Sequence, residues 1–374
     1  MLEALAALVV DGAAIVYRLY DVGYAIRLDR ASELLASSAP ERVRPGRGEA
    51  QAIQIANPPV SARLGTELVV VGGIECSADV SVRIFDFGVC SFQLRVPAPS
   101  AMSWTAFSIF GSTVDTAVDL APIFERHARQ LTMRIAAAID RPQIAPVTED
   151  FVVFRLTRLA DAAGQPLPTN IVREEDVVPL LLNVHRPLSV AARKELLPHR
   201  FSYYDDDLTI LTWDNALVIE PRAQDTDIQY VLEFANAQLL ELRVYDVLLD
   251  AELPAMYERI AAARASRLPL TGRSMRRVLA TLQARVADIT EPVERVENSL
   301  KVTDDVYLAR VYATALAIFR ARVWRQGIDR KLAIIRETYE MLNAVAQVAS
   351  AELLELTIIV LIVAELALAV TGRR

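Results

Sequence analysis

The chain has 374 residues, 53% of them hydrophobic, and a net charge of −7. This length is sufficient for two domains with separate cores. The negative charge argues against direct nucleic-acid binding, because that affinity depends largely on Lys and Arg contacts with phosphates. Two cysteines, Cys76 and Cys90, provide neither a disulfide framework nor a metal-ligand spacing, so we expect a reducing compartment.

The charge is unevenly distributed along the sequence. Residues 267–350 contain 14 Lys and Arg against 9 Asp and Glu, a net +5, which leaves −12 for the remainder. Two interpretations stay open: solvated helix faces, or attraction to anionic lipid or an acidic partner. The first ten residues lack the basic segment and cleavage site of a signal peptide, so none is predicted.

Short strand and helix patterns fill residues 1–224. Residues 14–28 are rich in β-branched and aromatic side chains and predict a hairpin that turns at Asp21-Val22-Gly23. We expect an α+β body with a mostly antiparallel sheet, and two loosely similar units at about 1–140 and 150–224. Its other predicted strands are 66–71, 80–87, 89–96, 151–158, 207–212 and 215–220, and its predicted helices are 29–37, 100–109, 114–139, 174–183 and 188–196.

Every segment after Gln224 has a helical pattern. Helices are predicted at about 225–251, 273–299, 304–326 and 328–371. The last helix has a heptad seam, which indicates an antiparallel helical hairpin or an oligomer across 225–350. The seam residues are Ile328, Leu332, Ile335, Tyr339, Leu342, Ala346, Ala349, Leu353 and Leu356.

A C-terminal membrane anchor is predicted at 353–371. These 19 residues rise about 28 Å as a helix, close to the ~30 Å hydrocarbon core of a bilayer. Glu355 can reach the interface, whereas Glu365 lies near the centre and must be neutral, paired across an oligomer or beside a water path. Trp324 with neighbouring arginines fits an interfacial anchor or an exposed helix face equally well. The alternative for the whole segment is a buried core helix. With an anchor, the body would face the cytoplasm and lipid would be a partner.

The sequence contains no motif for a common catalytic or nucleotide-binding site: GxGxxG, GxxxxGK[ST], HExxH, GxSxG and CxxC are all missing. No cofactor is therefore expected. The densest carboxylate cluster is Asp205, Asp206 and Asp207. It is a weak metal candidate, because three consecutive side chains point in different directions, and a solvated strand entry is the other interpretation.

The C-terminal third resembles the family named for being required for meiotic nuclear division. The matching segments are residues 304–345, DDVYLARVYATALAIFRARVWRQGIDRKLAIIRETYEMLNAV, and residues 352–366, ELLELTIIVLIVAEL. Upstream, RIFDFGVCSFQL at 83–94 and EFANAQLLELRVYDVLLD at 233–250 are similar to the family's strand turn and long helix. The resemblance carries no catalytic residues.

The resemblance implies a membrane-anchored, self-associating scaffold, with mitochondrial relatives that support translation of membrane proteins. By this likeness, a homo-oligomer and a translation or membrane-protein partner are expected. The alternative is a metal-dependent enzyme or a small-molecule-binding domain tethered to the membrane.

Overall fold

The computed structural model of the chain describes residues 8–42, 53–55, 57–221, 227–265, 280, 300–302 and 306–371. The strands are β1 (Val9–Asp21), β2 (Gly23–Ile26), β3 (Glu41–Arg42), β4 (Ile53–Ile55), β5 (Val60–Val71), β6 (Ile74–Ile84), β7 (Val89–Pro97), β8 (Met102–Ser103), β9 (Ile139–Pro142), β10 (Thr148–Ala160), β11 (His199–Phe201), β12 (Leu208–Leu211), β13 (Asn215–Ile219) and β14 (Leu300–Val302). The helices are α1 (Leu28–Leu34), α2 (Trp104–Thr116), α3 (Ala121–Ile135), α4 (Glu174–Leu181), α5 (Val190–Leu196), α6 (Asp227–Ala265), α7 (Val306–Ile318) and α8 (Ala321–Thr371). The predicted α+β body with C-terminal helices is confirmed. Apart from Ala280, the predicted helix at 273–299 lies outside the described residues.

The chain forms two compact units. The first, which we call the body unit, comprises the chain up to Val244 together with 295–322. The second, the helical unit, comprises 245–294 and 323–374.

A mixed sheet forms the centre of the body unit. Its strand order is β11-β12-β13-β10-β1-β7-β6-β5-β3, and β8 also pairs with β1. All described pairs in this sheet are antiparallel except β10 with β13. Strand β1 is central because nine of its 13 residues, VVDGAAIVYRLYD, are apolar or aromatic, which allows burial on both faces.

The predicted hairpin at 14–28 is wrong. Strand β1 ends at Asp21, and β2 pairs with β9 in a separate two-stranded sheet. The turn itself forms as predicted, because the Asp21 carboxylate accepts a hydrogen bond from the Gly23 N–H at 3.1 Å. This turn directs the chain out of the main sheet, so that β1 pairs with β7 and β10.

Helices α1 to α5 surround the core on one face of the sheet. The predicted helices at 100–109 and 114–139 are instead α2 and α3, with a break between Thr116 and Ala121. Ser103 caps α2 by accepting a hydrogen bond from the Ala106 N–H. Pro122 lies in the first turn of α3, where a missing N–H has no cost.

The first part of α6 and helix α7 lie against the opposite face. Strand alternation sends Phe151, Val153 and Arg155 of β10 to this face. The Phe151 ring meets Phe319, just beyond α7, edge to face at 5.8 Å. Phe234 of α6 packs similarly against Phe85 at 5.7 Å. The sheet is thus buried on both faces within the body unit.

The helical unit contains two described helix segments, Tyr245–Ala265 of α6 and Val323–Thr371 of α8. The Lys331 ammonium lies 2.7 Å from the Asp246 carboxylate and 2.6 Å from that of Asp250. A Cβ added to Gly327 would lie 3.5 Å from the same Asp246 carboxylate. Because residue numbers rise together in the two segments, they run parallel. The described contacts between these two segments are therefore those of a parallel pair, and the predicted antiparallel hairpin or oligomer across 225–350 stays a prediction.

The boundary between α7 and α8 lies earlier than predicted. We expected Gly327 to separate two helices, whereas it lies inside α8. The break occurs at Phe319 and Arg320, and Arg320 adopts a left-handed backbone conformation with φ 52°. A glycine costs only about 1 kcal/mol inside a helix, so tertiary contacts determine where the helix ends.

The predicted transmembrane anchor is wrong. Among the residues that the structure describes, no helix has an apolar stretch long enough to cross a membrane. The acidic residues Glu355 and Glu365 provide the physical reason, because an ionised side chain within hydrocarbon costs about 2.5–3.5 kcal/mol. The predicted membrane localisation, which depended on the anchor, is corrected with it. Lipid as a partner stays a prediction.

Candidate functional site

Polar side chains are buried between the sheet and α6 in the body unit. One side of this helix is apolar, and its residues Val231, Leu232, Ala235 and Leu239 are buried. The opposite side is buried as well, and its polar members are each less than 10% exposed: Gln229, Glu233, Asn236, Gln238 and Glu241. Sequence reasoning missed this layer because charged residues on a helix usually face water.

An ion pair joins the sheet to α6 at the centre of this layer. The Arg83 guanidinium on β6 contacts the Glu233 carboxylate, and both side chains are buried. The same guanidinium lies 5.0 Å from the centre of the Tyr230 ring. Burial raises the pKa of Tyr230, whereas the positive charge of Arg83 lowers it. Tyr230 therefore stays neutral while its ring stabilises the cation.

Further polar contacts follow along the same helix. Burial raises the pKa of Glu149 on β10, and contact with Arg243 of α6 opposes that shift. The Tyr312 hydroxyl of α7 donates a hydrogen bond to the Gln238 side chain at 2.5 Å. These contacts bring oppositely charged or hydrogen-bonding groups together beneath the helices. They fix the position of α6 on the sheet and provide no exposed nucleophile or base.

A tight corner brings Asp21 beside Cys90. Burial raises the pKa of Asp21 to about 7, and the hydrogen bond from the Gly23 N–H acts in the opposite direction. Burial, with a smaller effect of Asp21, raises the pKa of Cys90. Cys90 is thus a buried, neutral thiol. At Gly88, φ is +102° and a Cβ would lie 1.9 Å from the Gly23 carbonyl oxygen, so only glycine fits.

The aspartates at 205–207 form a turn between β11 and β12. Asp205 and Asp206 are exposed, whereas Asp207 is buried and accepts a hydrogen bond from the Tyr203 N–H at 2.7 Å. Their main chain is held by Thr169, whose N–H donates to the Asp205 carbonyl and whose hydroxyl donates to that of Asp207. Within the described ranges, no three His, Cys, Asp or Glu side chains are placed to hold a metal ion.

The structure describes the side chains of the first part of the seam predicted on α8, but not those of its second part. Ile328, Leu332, Ile335 and Leu342 are buried, and Trp324 and Tyr339 are half-buried. The side chains of Ala346 and Ala349, and of Leu353 and Leu356, lie outside those that the structure describes.

Near its end, α8 presents an exposed apolar segment, which we call the apolar end and define as Ile358–Val363. Its six side chains, Ile358, Ile359, Val360, Leu361, Ile362 and Val363, are 51–63% exposed. Glu355 precedes it and Glu365 follows it, and both are exposed. Because six consecutive residues cover the whole circumference of a helix, the exposure is not limited to one face.

The body unit therefore defines an α+β protein with helices on both faces of a mixed sheet, whose buried polar groups serve packing. The chain belongs to the family described as "Uncharacterized protein MJ0711, N-terminal domain", whose sequence profile matches residues 11–226. This match supports the prediction that the chain belongs to a family without an assigned activity. The family that the match shows is the one named for this domain, and membership of the meiotic nuclear division family is not confirmed.

A relative from Methanocaldococcus jannaschii, described as "Uncharacterized protein MJ0711", is 26% identical over 204 residues. The aligned segment covers 54% of this chain and 62% of the relative, so it spans less than two thirds of that protein. No solved structure matches the chain at a significant level.

Proposed function

We propose that this protein is a self-associating scaffold without catalytic activity, assembled through the apolar end of α8. The exposure of Ile358–Val363 carries the proposal. A helix that is apolar on every side requires burial, because each buried large apolar side chain contributes roughly 1.5–3 kcal/mol. We infer that other copies of the same segment provide the contacts.

The geometry of the helical unit supports this occupant. If Gly327 is level with Asp246, then Ala265, the last described residue of α6, is level with about residue 346. Helix α8 therefore continues beyond the described part of α6 for roughly 25 residues, or about 38 Å at 1.5 Å per residue. The apolar end lies in this extension. It continues the helix whose earlier seam is already buried, as expected of a helix that enters a bundle.

The distribution of apolar residues favours more than two copies. Two helices bury only one stripe of each partner, whereas a helix in a larger bundle is covered on a wider arc. Glu355 and Glu365 flank the apolar end and would mark its limits in the assembly. We therefore propose a homo-oligomer of at least three chains.

The resemblance of residues 304–345 and 352–366 to the family required for meiotic nuclear division supports the same function. Relatives in that family self-associate and support translation. By this likeness, we propose that the chain is related to that family. We also propose that its partner takes part in protein synthesis and that the assembled scaffold binds several copies of this partner.

The test combines a paired substitution with a matched control. Ile359→Asp with Ile362→Asp would bury two charges in the assembly and should dissociate it, because buried unpaired charges are strongly unfavourable. Val323→Asp changes an equally exposed residue near the start of the same helix and should leave the mass unchanged. Light scattering coupled to size exclusion measures the mass. A paired variant that keeps the wild-type oligomeric mass would refute the proposal.

A further inference from the structure

The outer edge of β5 presents backbone groups that no described strand covers. Strand β5 pairs along its inner side with β6 from Val60 to Val71. On its outer side, the described strand β3 pairs only with Val60 and Ser61. Among the strands that the structure describes, none pairs with the outer side of β5 beyond Gly65, and such an open strand edge is a template for pairing with another chain.

The hairpin turn determines which backbone groups point outward. Gly72 and Gly73, with φ 55° and 86°, form a two-residue turn between Val71 and Ile74. The residues that flank such a turn exchange hydrogen bonds, and the pattern then alternates along the strand. Val71 and Val69 therefore bond to β6, and the N–H and C=O groups of Val70 and Leu68 point to the open edge.

Apolar side chains accompany these backbone groups. Leu68 is 66% exposed and Val70 53% exposed on one face of β5, and Ile74, just beyond the turn, is 39% exposed. Val69 and Val71 alternate with them and are buried in the core on the other face. Exposed apolar side chains on an open strand are unusual, because natural edge strands are commonly protected by charge or proline.

We propose that β5 pairs with β5 of a second copy of this chain, in antiparallel orientation about a two-fold axis at Val69. In this register Leu68 of each copy lies opposite Val70 of the other. Both residues have outward-pointing backbone groups, so these two pairs form hydrogen-bonded rungs. The proposal rests on the proposed self-association and adds a second surface, located in the body unit, to the apolar end of α8.

Charge and symmetry favour a second copy over an unrelated strand. In this register Glu67 lies opposite Val71 of the other copy, and Thr66 lies opposite Gly72, so no like charges meet. The Glu67 carboxylate is already held by Arg126 at 2.7 Å and by the His127 ring at 2.8 Å. An isologous pair needs one self-complementary patch, which the Leu68–Val70 alternation provides.

Register-specific cross-linking of the full-length protein tests this proposal. Hydrogen-bonded antiparallel pairs have Cα atoms about 5.5 Å apart, within the range for a disulfide. A mixture of the Leu68→Cys and Val70→Cys variants should form a disulfide-linked dimer of the two variants on mild oxidation. Mixing Leu68→Cys with Ile109→Cys, at an exposed site on α2, controls for random collision. The native Cys76 and Cys90 are buried.

We expect roughly tenfold more mixed dimer than in the control, because pairing raises the effective thiol concentration. Adding Leu68→Lys to the Val70→Cys partner should abolish this excess, and a thermal melt will show that the variant still folds. If light scattering shows an oligomer but the mixed dimer forms only at the control level, the edge pairing is overturned. The proposed assembly through α8 is not affected by that result. Excess mixed dimer that persists with Ile359→Asp and Ile362→Asp would support it independently of α8.

Discussion

At the scale of single residues, several charged side chains of this protein are buried, where they serve packing and are not accessible for reaction. Arg83 and Glu233 meet beneath α6, and Asp21 lies buried in the corner beside Cys90. The pairing of Arg83 with Glu233 was not predicted, because a charged residue in an apolar segment looks the same in the sequence whether it faces water or the core.

The carboxyl of Asp21 should make stability depend on pH. Its pKa is raised from 3.8 to about 7 by burial, so ionisation disfavours the folded state. The contribution of the neutral Asp21 carboxyl to folding stability is complete below pH 4 and is lost as pH rises through 7. Asp21→Asn removes the charge and retains an acceptor for the Gly23 N–H. The free energy of unfolding of the variant should exceed that of wild type by a few kcal/mol at pH 8, and the difference should disappear near pH 4.

Urea unfolding across this pH range measures the difference. Asp161→Asn is the control. Like Asp21, Asp161 accepts a hydrogen bond from the backbone N–H two residues later in the chain, in this case that of Ala163. An advantage of Asp21→Asn that grows as pH falls would contradict the assignment.

The pair of Arg83 and Glu233 should show strong coupling. Arg83→Met leaves the Glu233 carboxylate buried without its main charge partner and should reduce the free energy of unfolding by about 3–5 kcal/mol. Replacing both residues, with Met at 83 and Leu at 233, should restore most of this loss. Denaturant titrations of the single and double variants test the coupling. Additive losses would show that the two side chains do not act as a pair.

At the scale of secondary structure, local patterns predicted the elements but not their partners. Strands β7, β12 and β13 lie close to their predicted positions because their apolar runs end at clear turn residues, whereas β6 begins well before the predicted 80–87. The Asp21 turn was recognised, whereas the pairing of β2 with β9 is a long-range contact that local sequence does not encode. The anchor prediction failed because no helix among the described residues has an apolar stretch long enough to cross a membrane.

Two glycines should respond oppositely to alanine. Gly327 lies inside α8 with ordinary space for a Cβ, so Gly327→Ala should stabilise the protein by about 0.5–1 kcal/mol. Gly88→Ala should destabilise it strongly, because the new Cβ would collide with the Gly23 carbonyl at a left-handed position. Thermal melts of both variants measure the effects. A loss of stability in Gly327→Ala would contradict the placement of this residue within a continuous helix.

At the scale of the whole molecule, buried polar contacts fix the elements of the body unit, and two surfaces are proposed for self-association. The apolar end of α8 and the open edge of β5 both leave large apolar side chains exposed in a single chain. The sequence predicted self-association from the heptad seam, but the buried part of that seam lies within the chain and the exposed segment follows it. The two parts differ in pattern, because the buried part has apolar residues at heptad spacing and the exposed segment is an unbroken apolar run.

Sedimentation velocity over a range of concentrations tests the self-association most directly. The mass of one chain is 41.3 kDa. We predict a species of at least three chains that persists on dilution into the micromolar range, and its conversion to smaller species by Ile359→Asp with Ile362→Asp. A single species of one-chain mass at every concentration would contradict the account.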